Sequence, residues 1–208
     1  SRGGGAGFGV KRMRAAPMPR AIAAPIQAMM KSPVSSLMKP VRGALMALRL
    51  PRGAVVADVG AGSGYMTVRM AKLVGPTGRV YASDIQPEMI AMLRQRIARD
   101  RLSNIEPVLG SVDDPKLPAN TLDLILMVDV YHEFQQPQRM LQRMREALKP
   151  GGRLVLLEYR KEDPSIPIRF EHKMSVAEAK LEVEAEGYVL SKVEQMLPRQ
   201  HILIFARP

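Results

Sequence analysis

A chain of 208 residues accommodates one domain of about 150 residues with a sizeable core, plus an extension. Apolar residues make up 46%, but no run nears the roughly 20 that a membrane span needs, so a soluble or peripherally attached protein of the cytoplasm or an organelle matrix (the mitochondrion, for instance) is expected. The absence of cysteine excludes disulfides, thiolate zinc sites and a cysteine nucleophile, and the net charge of +11 sits at the front: residues 1–57 hold ten Lys or Arg and no acid, whereas residues 58–208 carry only +1.

Residues 1–34 are rich in Gly, Pro, Ala and Met, contain four prolines and sustain neither a helical nor a strand period. Three readings fit this composition: a loose extension, a transit peptide or its remnant, or an arm that neutralises phosphate on RNA or anionic lipid. Any RNA or assembly contact is expected through residues 1–57. Residues 35–208 form the expected domain. Residues 35–50 look helical, with Ser35 or Ser36 as cap and Leu45, Met46 and Leu48 as apolar face. Residues 54–59 form a short β-branched strand. Residues 65–74 have helical spacing, 75–78 turn, and 79–83 are a second strand. Pro87 opens a helix to residue 99. Residues 105–109 and 122–128 are further strands, the latter an apolar run ending at Asp129 that implies a buried strand. A helix over 138–148 stops at Lys149-Pro150-Gly151-Gly152, and 153–158 is a strand. Ser175 and Glu178 make a capping box for a helix to Gly187. Residues 188–196 and 202–206 form a closing hairpin. The Met pairs 89/92 and 140/144 lie at helical spacing and read as core filling.

Strands alternating with helices imply an α/β fold with a mostly parallel sheet, whose ligands bind beyond the carboxyl ends of the strands. There, between the first strand and the next helix, lies Asp58-Val59-Gly60-Ala61-Gly62-Ser63-Gly64. Glycines at alternate positions permit positive φ and close backbone approach. Asp84 ends the second strand, where a carboxylate can bond a ribose diol or, less specifically, cap the following helix. Asp113 and Asp114 follow the third strand, able to reach an adenine edge or to close a solvated turn before Pro115. Dinucleotide enzymes use G-x-G-x-x-G to seat a pyrophosphate. Here the third glycine comes one residue early and an acid precedes the loop, which suits a ligand bearing an ammonium and a sulfonium.

VADVGAGSGY, VYASDIQPEM, LGSVDDPKLP, DLILMVDVYHEF and LKPGGRLVLLEY, in that order, resemble a class I S-adenosylmethionine-dependent methyltransferase over residues 54–160. The resemblance implies a Rossmann-like seven-stranded sheet ordered 3-2-1-4-5-7-6 with strand 7 antiparallel, and S-adenosylmethionine as cofactor. It implies that Asp58 orients the loop and the methionine ammonium, that Gly60, Ala61, Gly62 and Gly64 line the cofactor, and that Asp84 binds the ribose with Ile85 against the adenine. Val112, Asp113 and Asp114 would meet the adenine edge, and the backbone at Val128 and Asp129 the methionine end. Where family members carry a substrate-covering helical segment, this chain has its basic tail, which leaves the acceptor class open.

Acceptor-side candidates follow the fourth and fifth strands: Tyr131-His132-Glu133-Phe134 and Glu158-Tyr159-Arg160. The topology puts all three histidines, 132, 172 and 201, at one sheet edge. Either His132 with Glu133 or Glu158 is the general base, or the histidines bind a metal; the plainer alternative is that His132 walls the cofactor pocket. No metal is expected, because the histidine spacings are scattered. No N-P-P-Y stretch follows the fourth strand, and aromatics are only 4%, too few for a base-stacking platform. A methyltransferase acting on a small molecule is therefore the first expectation. The alternative is a methyltransferase-fold subunit of a large, RNA-containing or organellar assembly, anchored by the tail, with catalysis secondary or lost.

Overall fold

The computed structural model describes residues 43–208; the basic extension 1–34 and the Ser35/Ser36 cap lie outside them. Residues 43–48 are helical. In chain order follow β1 (Val55–Val59), α1 (Tyr65–Val74), β2 (Arg79–Asp84), α2 (Pro87–Asp100), β3 (Ile105–Leu109), β4 (Leu122–Val128), α3 (Pro137–Ala147), β5 (Leu148–Arg160), β6 (Lys173–Met174), α4 (Val176–Ala185), β7 (Val189–Glu194) and β8 (Gln200–Ala206). Two 3-10 turns, Tyr131–Glu133 and Phe170–His172, precede α3 and β6. No helix among the described residues is long and apolar enough to cross a membrane.

The sheet runs β3-β2-β1-β4-β5-β8-β7, with β6 paired to β5 off that path. Pairs among β1 to β5 are parallel, and β8 is antiparallel to both β5 and β7. Without the two-residue β6, this is the expected seven-strand order. β6 is too short for any sequence period. It aligns Lys173 with Tyr159 and Met174 with Arg160, and so carries the preceding turn to the end of β5.

The central strands are buried on both faces. Leu124 and Leu126 of β4 pack with Val56, Val80 and Val155 toward α1 and α2. Ile125 and Met127 point the other way, onto Met140, Leu141 and Met144 of α3 and Tyr188. This two-residue alternation carries apolar side chains into both layers, so β4 has no polar face. Asp58, between Ala57 and Val59, turns its carboxylate to the α1 side, where Thr67 meets it.

Four local expectations need correction. Met46 is exposed, and Ala44, Ala47 and Leu48 face the core instead. Met92 is also exposed; α2 buries Ile90 and Leu93. The residues read as a turn at 149–152 belong to β5, which starts at Leu148 and pairs with Leu122 across a register shift. Gly151, at φ +76°, bends that stretch while its N–H bonds Arg207 O. Helix α4 ends at Ala185, two residues early, although its capping box forms as read, Glu178 N–H donating to Ser175 Oγ and Ser175 N–H to Glu178 Oε2.

Candidate active site

The loop between β1 and α1 is wired to the end of β2. Gly60 and Ala61 donate their N–H groups to Ser83 O, Gly64 to Ala61 O, and Gly62 to Asp84 Oδ2 at 2.8 Å. A pyrophosphate cradle works by aiming such N–H groups at the ligand; here four of them are spent inside the protein. Gly60 and Gly64 sit at φ +75° and +83°. A Cβ on Gly60 would lie 2.6 Å from Val130 Cγ2, and one on Gly64 2.5 Å from Leu93 Cδ1. Protein side chains therefore fill the space on the Cβ side of these two glycines, so a side chain there would collide with Val130 or Leu93.

Two carboxylates flank the loop. Asp84 is nearly buried, and its second oxygen accepts the Gln86 N–H at 2.9 Å, so it steadies the start of α2 as well as the loop. Each oxygen retains a lone pair for a ligand hydroxyl. Asp58 is buried and accepts the Thr67 hydroxyl at 2.6 Å. Burial pushes its pKa up to about 6 against the lowering effect of Thr67, with the Asp84 charge adding to the rise. No Lys or Arg among the described residues forms an ion pair with either acid.

At the carboxyl ends of β2 and β3 and in the loop after β3, the apolar side chains Ile85, Leu109 and Val112 are exposed. Leu109 was missed by sequence reasoning, because a strand's last residue carries no mark of being bare. Asp113 and Asp114 form a turn: Asp113 Oδ1 accepts from Ser111 Oγ at 2.8 Å, and Asp114 Oδ1 from Lys116 N–H at 2.7 Å.

The ends of β4 and β5 carry a second, polar cluster. Asp129 adopts a left-handed backbone, φ +50°, as the chain leaves the sheet. Gln200 donates to both its carboxylate oxygens, at 2.8 and 2.7 Å. Desolvation and the neighbouring Glu158 charge push the Asp129 pKa up to about 8, opposed by Gln200. Glu158 is fully buried; it accepts the Tyr131 N–H at 3.0 Å and His132 Nδ1–H at 2.7 Å. Burial disfavours the His132 cation, yet Glu158, Glu133 and Asp129 outweigh it and hold its pKa above the ordinary value. His172 Nδ1 stands 2.9 Å from Glu133 Oε1. Tyr131 hydroxyl donates to Glu182 of α4 at 2.8 Å.

Two of the three histidines thus meet. His201 does not join them: it is buried on β8, its Nε2 has no hydrogen-bond partner, and burial holds its pKa below the ordinary value. Gln200, its neighbour, is the polar residue that sequence reasoning missed; only the hairpin register brings it to Asp129.

Comparison with known proteins follows the same lines. A family profile described as a methyltransferase domain matches residues 56–152. The ubiquinone/menaquinone biosynthesis C-methyltransferase UbiE of Enterobacter sp. (strain 638) is 34% identical over 111 residues, 53% of this chain and 44% of that protein. The chain thus spans less than half the length of the curated relatives it matches. A SAM-dependent methyltransferase structure from Aquifex aeolicus superposes with a TM-score of 0.76 at 27% identity, covering 81% of this chain and 89% of that one. The structure of the [4+2]-cyclase SpnF shares the fold at a TM-score of 0.69 and 16% identity, with 79% of each chain covered.

Proposed function

Because this chain carries a class I S-adenosylmethionine-dependent methyltransferase domain, we propose that it methylates a small-molecule acceptor held beyond the ends of β4 and β5. The observation that carries this reading is Asp84 turned onto the glycine loop, its Oδ2 bonded to Gly62 N–H at 2.8 Å. That bond fixes a carboxylate beside the loop with lone pairs left for a ribose diol.

The donor set fits the cofactor. The buried Asp58 carboxylate suits an ammonium, Asp84 the ribose hydroxyls, and Ile85, Leu109 and Val112 offer an apolar surface to a purine. The Val128–Asp129 backbone stands at the methionine end. S-adenosylmethionine supplies a methyl group on a sulfonium, already activated for displacement. The protein's task is to orient the acceptor and take its proton. Glu158 fixes the Nδ1–H form of His132 and directs Nε2 toward the acceptor side, beside Glu133. A small acceptor is supported by the printed role of the curated relatives, C-methylation in ubiquinone/menaquinone biosynthesis.

Calorimetric titration of the full chain with S-adenosylmethionine and S-adenosylhomocysteine tests this. Both should bind, and Asp84→Ala should weaken both roughly 30- to 100-fold through the lost charge-assisted hydrogen bonds. No affinity for either nucleoside would overturn the reading.

The Asp58 environment adds a pH dependence. In the free protein its pKa stands at about 6, above the ordinary 3.8, so ionisation is disfavoured. A bound ammonium favours the ionised form and lowers that pKa. Affinity should therefore rise with pH up to about 6, by at most about tenfold per unit, and level off above it. Asp58→Asn should flatten the slope; a slope that survives the substitution would assign it to another group.

A further inference from the structure

We propose that His132 Nε2, Glu133 Oε1 and His172 Nδ1 form a three-ligand site for a divalent transition-metal ion at the acceptor end of the active site. The three atoms are separated by 3.3 Å (His132 to Glu133), 2.9 Å (Glu133 to His172) and 3.3 Å (His132 to His172). With metal–ligand bonds of about 2.0–2.2 Å, tetrahedral ligands stand roughly 3.3–3.5 Å apart and adjacent octahedral ligands roughly 2.9 Å. The triangle therefore has the size of one face of a metal coordination shell.

Protons alone do not satisfy this triangle. If both rings donate to Glu133, the two N–H groups face each other across the third edge. If His172 donates and His132 presents its lone pair, that lone pair faces a carboxylate oxygen. A cation at the centre uses all three lone pairs at once. Its charge is also wanted: among the described residues, neither Glu133 nor Glu158 forms an ion pair with a Lys or Arg.

The surroundings match those of metal-bound histidine. The other ring nitrogen of His132 is held by Glu158, which is fully buried and anchored in turn by the Tyr131 N–H. A carboxylate behind a ligating imidazole fixes its tautomer and raises its basicity. Glu133 and His172 keep 31% and 29% of their side-chain surface exposed, so the far side of the triangle is open to an acceptor. Two imidazoles and one carboxylate suit Zn(II), Fe(II), Co(II), Mn(II) or Ni(II). The scattered spacing that argued against a metal is bridged by β6, whose pairing with β5 brings the Phe170–His172 turn against Tyr131–Glu133.

This inference rests on the acceptor-side reading and narrows it. The acceptor class becomes a phenol or enol, whose oxygen binds the ion at an open position. Its O–H bond breaks, the proton leaves to water, and the anion is held ready for the methyl group. His132 then acts through the ion and not by removing the proton itself.

The test is titration of the chelator-stripped full chain with Co(II), followed by its visible absorption, with Zn(II) as competitor. One equivalent should bind. His172→Ala and Glu133→Gln should each lower the affinity by at least tenfold, and Glu158→Gln by about 10- to 100-fold. S-adenosylmethionine affinity, measured on the same samples, should stay within about twofold. Failure to bind Co(II), or equal binding by wild type and His172→Ala, overturns the site while leaving the methyltransferase reading standing. Co(II) binding without S-adenosylmethionine binding would do the reverse.

Discussion

Replacing His132 by Ala should leave S-adenosylmethionine affinity within about twofold and lower turnover by about 10²–10⁴-fold, the usual range for loss of an acceptor-activating group. The asymmetry follows from position. His132 lies on the turn after β4, bonded to Glu158 of β5, whereas the loop contact of the proposed cofactor site runs from Gly62 to Asp84 at the end of β2. Removing the ring strands a buried carboxylate, at roughly 1–3 kcal/mol, so a melting curve must accompany the kinetics. His132→Asn offers the control, since its amide can still donate toward Glu158. The measurement is transfer of labelled methyl from S-adenosylmethionine to an acceptor. Turnover equal to wild type would remove His132 from the reaction.

Gly60→Ala should destabilise the fold by about 2–4 kcal/mol, lowering the melting temperature by roughly 5–15 °C for a chain of this size. Two costs add. The backbone stands at φ +75°, where an L side chain costs about 1–2 kcal/mol. The new methyl group would also lie 2.6 Å from Val130 Cγ2 and 3.0 Å from its Cβ and Cγ1, atoms of a stiff, β-branched residue. Gly151 separates the two costs: its φ is +76°, but nothing lies within 4 Å of an added Cβ. Gly151→Ala should therefore show the backbone cost alone. Equal losses at both positions would mean that Val130 moves aside freely.

The elements most legible in the sequence were those with a strong period or a clear stop. β4 is an apolar run of strand length, α1 ends at Gly75, and α4 announces itself with Ser175 and Glu178. Less legible were features decided by pairing partners far along the chain. β6 exists because β5 offers it an edge, and β5 starts early because Gly151 can bend. Met92 has a core-like spacing yet is exposed, since α2 is anchored by Ile90 and Leu93. For the site, the loop, Asp58, Asp84, His132 and Glu158 fall at the expected strand ends. Asp113 and Asp114 do form the turn that was their plainer reading. His172 does reach His132 at the expected edge, across 40 residues, whereas Gln200 was beyond prediction as a partner, since it meets Asp129 across 71 residues through the hairpin register alone.

Val130 belongs to two neighbourhoods. Its isopropyl group fills the space that Gly60 leaves, and its carboxyl side leads directly into Tyr131 and His132. The glycine loop and the turn carrying His132 are thus spaced by a single side chain, like two plates held by one washer. If the acceptor sits at that turn, as proposed, one of larger girth cannot be admitted by widening the gap without unseating the loop. The stretch from Lys161 to Phe170 joins β5 to the turn carrying His172, and under the proposed reading changes in acceptor range should be sought there.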